Sequence, residues 1–71
     1  MSMEILAPMP GNVTEILVKV GDAVKENDEL MILEAMKMEN PIFAPTDGTI
    51  KEIKVKEKDV VEAEQVLVVI E

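Results

Sequence analysis

The sequence predicts an all-β fold: a flattened β-barrel or sandwich made of two halves related by a pseudo-two-fold. Three observations carry this prediction. First, the chain repeats itself, because a shift of 37 residues lays 3–34 on 40–71 without a gap. Twelve aligned positions are identical, among them Ala7/Ala44, Pro8/Pro45, Gly11/Gly48, Asp22/Asp59, Val24/Val61 and Leu30/Leu67. Second, Ile53 and Val55 alternate with Lys54 and Lys56, the period of a half-buried strand. Third, the apolar stretches are divided at matched places by Pro, Gly, Asp and Asn, the residues that form turns.

Each half reads as the same succession. A short apolar segment, Glu4-Ile5-Leu6 or Pro41-Ile42-Phe43, leads to a break, Pro8-Met9-Pro10-Gly11 or Pro45-Thr46-Asp47-Gly48. A β-rich stretch follows, Val13–Val20 or Ile50–Glu57. Val13 and Ile16 are out of phase by one residue, as are Ile50 and Ile53, which predicts a bulge near Thr14-Glu15 and near Lys51-Glu52. A polar break at Asp22 or Asp59 then leads to an apolar run, Leu30–Leu33 or Val66–Ile70, that lacks polar alternation and belongs deep in the core. Glu62-Ala63-Glu64-Gln65 read alone could be helical, but its repeat partner Lys25-Glu26-Asn27-Asp28 is a turn, and the symmetry decides for a turn. The expected organisation is one domain over residues 1–71. If 34 and 40 are close across the repeat junction, so are 71 and 3, which places the termini at one end and the junction at the other.

Composition narrows the function. Seventy-one residues make a small domain near the lower limit for a self-sufficient core. There is no cysteine and no histidine, so disulfides, thiolate metal sites and the commonest general base are excluded. The formal charge is −8, from 15 acids against seven basic residues, and the one aromatic is Phe43. Nucleic acid and anionic lipid are therefore poor partners. The longest apolar run, Val66–Ile70, is far too short to span a membrane. Met1-Ser2-Met3-Glu4 has no basic start leading into a long apolar segment, so the expectation is a cytoplasmic, soluble, monomeric domain without a secretory signal, whether a free subunit or a piece of a longer chain.

The repeat leaves out one pentad, Ala35-Met36-Lys37-Met38-Glu39, at its centre. The apolar runs on either side predict a tight hairpin. Two-residue hairpin loops favour Gly, Asn or Asp because their central residues take positive φ. Methionine and lysine there cost on the order of 1 kcal/mol. A local rule broken at the symmetry centre marks side chains chosen for something other than turn comfort. Taken alone, Lys37 reads as a solvated turn lysine and the methionines as adaptable core fillers. Glu34 and Glu39 as an acid/base pair is a weak reading in so small a domain without a histidine or a metal cluster.

Glu34-Ala35-Met36-Lys37-Met38-Glu39 resembles the attachment motif of biotinyl domains, the biotin carboxyl carrier modules. Ala7-Pro8-Met9-Pro10-Gly11, Val18-Lys19-Val20-Gly21-Asp22 and Asp47-Gly48-Thr49-Ile50 are similar to the same family, and the likeness covers residues 4–71. It is nearest to the carriers of decarboxylases and transcarboxylases or to the carboxy-terminal domain of pyruvate carboxylase. The resemblance implies a barrel-sandwich hybrid that catalyses nothing itself. It implies that a biotin protein ligase attaches biotin covalently to Lys37, with Glu34, Ala35, Met36, Met38 and Glu39 as the recognition motif. A biotin carboxylase would load the carrier, and a carboxyltransferase or decarboxylase would unload it. Core packing stays open as the alternative role of Met36 and Met38.

Two turns depart from the family, with Lys58 and Ala63-Glu64 where glycine is common. Positive φ there would cost roughly 1 kcal/mol at each. Two rival readings remain. A lipoyl carrier shares the fold, but its lysine usually lies in an Asp-Lys-Ala-like context, whereas Met36 and Met38 flank Lys37. An unmodified barrel-sandwich interaction module would leave Lys37 dispensable.

Overall fold

The computed structural model describes residues 2–71. Its strands are β1 (Met3–Leu6), β2 (Gly11–Ile16), β3 (Ala23–Val24), β4 (Glu29–Ala35), β5 (Met38–Phe43), β6 (Gly48–Ile53), β7 (Val60–Val61) and β8 (Val66–Ile70). They form two four-stranded antiparallel sheets, ordered β1-β8-β6-β3 and β5-β4-β2-β7. The repeat maps each strand of one sheet onto a strand of the other: β1 on β5, β2 on β6, β3 on β7 and β4 on β8. The all-β expectation holds, as two sheets rather than a closed barrel. β2 and β6 even share one burial pattern along their length.

The core is the set of positions that the repeat keeps apolar. Leu30 and Leu67, Val13 and Ile50, Leu33 and Ile70, and Met31 and Val68 are all essentially inaccessible, and Ala7 and Ala44 fill the narrow places between them. Burying such side chains contributes about 1.5–3 kcal/mol each, and the pairing draws those contributions equally from both halves.

The predicted bulges are present. Register shifts between Val13 and Glu15 against β4, and between Ile50 and Glu52 against β8. One extra residue in each strand puts both Val13 and Ile16, and both Ile50 and Ile53, on the inner side.

The strand limits differ from the sequence reading. β2 and β6 begin at Gly11 and Gly48, inside the expected breaks, and end at Ile16 and Ile53 rather than at Val20 and Glu57. Residues 17–22 and 54–59 carry the chain from one sheet to the other. Alternation outlasts the ladder there: Val55 is buried although it has left the strand. The crossings are tied by Leu17 N–H donating to Leu30 O (2.9 Å) and Lys54 N–H donating to Leu67 O (2.8 Å).

The turns repeat as well. Asp22 Oδ2 accepts from Lys19 N–H, and Asp59 Oδ2 accepts from Lys56 N–H, both at 2.9 Å. Asp28 Oδ2 accepts from Lys25 N–H at 2.9 Å, and Gln65 Oε1 takes the matching bond from Glu62 N–H at 3.0 Å. Residues 62–65 therefore form a turn, not a helix, with Gln65 N–H donating to Glu62 O at 3.1 Å. Lys58 and Glu64 do take positive φ, 77° and 68°.

Candidate functional site

The junction of the halves is the β4–β5 hairpin. Leu33 pairs with Asn40, Glu34 with Glu39 and Ala35 with Met38, leaving Met36-Lys37 as a two-residue loop. The same geometry recurs at the other end, where Met3 pairs with Ile70 as Asn40 pairs with Leu33. The two ends are far apart along the chain's path. Asn12, at the start of β2, pairs with Glu34 beneath the loop. β2 then leads away, past Ile16 beside Met31, to Ala23 and Val24, which pair with Thr49 and Gly48. Thr49 exchanges backbone hydrogen bonds with Glu71 at 2.9 and 2.8 Å. The loop and the C-terminal residue thus lie at opposite ends of a molecule measuring 32 × 17 × 17 Å.

Both loop residues take positive φ, 54° at Met36 and 64° at Lys37, as a type I′ turn requires. That backbone matches the right-handed twist of the flanking strands. Lys37 is exposed. Among the described residues the ion pairs are Lys51–Glu71 at 3.5 Å and Lys54–Glu52 at 3.0 Å, so the Lys37 ammonium is uncommitted.

Met36 and Met38 are 88% and 65% exposed. The core-filler reading fails for both. The methionines that do fill space are Met31, fully buried, and Met9, packed against the core. Exposed thioethers on both sides of an exposed amine form an apolar, adaptable contact surface around one nucleophile.

Glu34 and Glu39 face each other across the ladder on the exposed side of the sheet, in line with exposed Asn12 and Val60. Like charges directly opposite are destabilising in a sheet. These carboxylates are solvated and give the base of the hairpin a negative rim. Ala35 points the other way and is buried. The sequence motif is therefore split by exposure: Glu34, Met36, Lys37, Met38 and Glu39 are exposed, while buried Ala35 anchors the loop.

Two supports were not legible as such in the sequence. Asn40 Nδ2 donates to Met38 O at 3.2 Å, fixing the strand just after the loop. Gly11 lies beneath the hairpin: a Cβ there would overlap the Glu34 carbonyl oxygen and stand 3.2 Å from Ala35 Cβ. Its identity with Gly48 was the available signal, but glycine after Pro10 reads first as a turn residue.

Fold and site together define a symmetric two-sheet domain that displays one free lysine at the tip of a type I′ hairpin. A family model described as "Biotin-requiring enzyme", of the biotin/lipoyl type, matches residues 2–70. The chain belongs to that family. The biotin carboxyl carrier protein of Streptococcus mutans is 69% identical over 36 residues, 51% of this chain and 28% of that protein. The gamma subunit of glutaconyl-CoA decarboxylase from Acidaminococcus fermentans is 54% identical over 41 residues, 58% of this chain and 28% of that subunit. The urea carboxylase structure from Kluyveromyces lactis superposes with a TM-score of 0.93 at 31% identity, covering 99% of this chain and 6% of that one. The matched stretches thus span less than a third of the length of these relatives.

Proposed function

We propose that this domain is the carrier of a biotin-dependent carboxylase, decarboxylase or transcarboxylase, and that biotin is joined to it by an amide bond at Lys37 Nζ. The observation that carries the reading is the placement of Lys37, an exposed and unpaired amine on a two-residue loop at the end of the molecule opposite Glu71. The residues present fit the group. An amide needs one accessible primary amine, and the four-carbon lysine stem extends the reach of whatever it carries.

Biotin, once attached, supplies a ring nitrogen that accepts and releases a carboxyl group. The rest of the work is presentation. The sheets hold the hairpin away from the bulk of the domain, so a ligase pocket can close on Met36, Lys37 and Met38 without meeting the termini. Tethering then gives the bound group an effective concentration at each partner site far above that of the free molecule. Amide formation removes the lysine charge and leaves the negative rim of Glu34 and Glu39 in place. The domain supplies no catalytic group in this reading; a biotin protein ligase, a biotin carboxylase and a carboxyltransferase or decarboxylase do the chemistry, with the domain itself a cytoplasmic monomer. The proposal also includes Glu34, Ala35, Met36, Met38 and Glu39 as the segment that the ligase reads.

Incubation with a biotin protein ligase, biotin and ATP tests the reading. Intact-mass measurement should show one biotinyl increment, mapped to Lys37 and absent in Lys37→Arg. A lipoyl increment from a lipoate ligase with none from the biotin ligase, or attachment at another lysine, would refute it.

A further inference from the structure

We infer that Gly11 is a positioning residue for Lys37, setting where the hairpin stands on the domain, and this rests on the reading of Lys37 as the biotin acceptor. Gly11 precedes Glu34 by 23 residues (34 − 11) in the chain, so folding alone brings it beneath the hairpin. Its backbone is held from the other half of the molecule, because Gly11 pairs with Val61 and Asn12 with Val60. Lys58 N–H donates to Val13 O at 2.6 Å, and Val13 N–H donates to Asp59 O at 2.8 Å. On its opposite side Gly11 faces the Glu34 carbonyl so closely that a single added carbon would overlap it. That oxygen belongs to rigid backbone and cannot rotate away as the end of a side chain could. Glu34 and Ala35 are the last two residues of β4 before the loop. Whatever displaces them tilts Met36-Lys37 with them.

The repeat supplies a control within the same molecule. Gly48 is the mate of Gly11 and is crowded too, although mainly by a side chain: a Cβ there would overlap Ile70 Cγ2 and stand 3.1 Å from the Glu71 carbonyl oxygen. That crowding is at the end away from Lys37. A purely structural glycine, at either place, would change stability without changing ligation by the folded chain. A positioning glycine behaves differently only at the hairpin.

The test compares Gly11→Ala with Gly48→Ala in the full 71-residue chain, both placed in a Lys58→Gly/Glu64→Gly background that offsets lost stability. Three quantities are read: the thermal midpoint, the amide chemical shifts of residues 34–39, and kcat and KM for biotin ligation well below the midpoint. Both variants should lower the midpoint. Only Gly11→Ala should move the hairpin amides and cut ligation kcat/KM, by roughly ten- to a hundredfold, as expected when a reacting group is misplaced by about 1 Å. Ligation should still reach one biotin per chain. Equal ligation rates in the two folded variants would overturn the proposal, as would a Gly11→Ala chain that fails to fold in this background while Gly48→Ala folds. A parent chain that takes up no biotin overturns the reading of Lys37, and this proposal with it.

Discussion

Lys58 holds a φ of 77° at the turn position where its repeat mate Gly21 holds 96°. The left-handed region costs a side chain with a Cβ roughly 1–2 kcal/mol, and Lys58 bears that cost to keep its N–H on Val13 O. Lys58→Gly should therefore raise stability by about 0.5–1 kcal/mol, the strain relieved less the greater freedom of glycine in the unfolded chain. The urea midpoint should rise with an unchanged slope. A lower midpoint would mean that the lysine stem contributes packing that outweighs the strain. Glu64, at 68° where its mate Asn27 has 75°, should respond in the same direction to Glu64→Gly.

Leu30 and Leu67 are mates in the repeat, and neither is accessible to solvent. Truncating a buried leucine costs about 2–5 kcal/mol, against a total of about 4–10 kcal/mol for a chain of this length. Leu30→Ala and Leu67→Ala should each remove a large part of the stability and by similar amounts. Chemical denaturation of the two variants checks this. A loss below about 1 kcal/mol at either would show that the two halves do not contribute equally to one core.

The repeat made most of the fold legible. Alignment of 3–34 on 40–71 set the matching of strands, the bulges at Thr14 and Lys51, and the turn at 62–65, where local propensity alone pointed to a helix. It could not show where strands end, because Val55 stays buried after the ladder stops at Ile53, and alternation records burial rather than hydrogen bonding. Asp22 and Asp59 were visible as identical polar residues, but their carboxylates accepting from Lys19 and Lys56 N–H is a three-residue contact that composition does not reveal. At the site, the strained turn was readable because methionine and lysine are poor residues for positive φ. The exposure of Met36 and Met38 was not, since methionine suits cores and contact surfaces equally. The approach of Gly11 to Glu34 joins segments distant in sequence, and only the folded chain displays it.

Met36→Ala and Met38→Ala separate recognition from packing. Both side chains are mostly in solvent, so each substitution should change folding stability by no more than about 0.5 kcal/mol. If a ligase closes on these thioethers, ligation kcat/KM should fall by roughly tenfold for each, the equivalent of about 1.4 kcal/mol of lost contact. Thermal midpoints and initial ligation rates measured on the same samples check both halves of the prediction. Unchanged rates would remove the methionines from the recognition motif, and a large fall in midpoint would return them to a structural role.

Met36→Asn asks whether the loop sacrifices stability for recognition. Met36 is the first central residue of a type I′ turn, with φ of 54°. Asparagine tolerates that conformation better than methionine because its short polar side chain bonds locally. The substitution should stabilise the hairpin by about 0.5–1 kcal/mol and slow ligation at least as much as Met36→Ala, because it also removes the thioether. Opposite signs for the two effects, read from a denaturation curve and a ligation time course, would show that methionine is kept at this position against the preference of the turn. A variant that is both more stable and ligated as fast would show that the strain at Met36 serves no recognition, and that Lys37 alone accounts for the site.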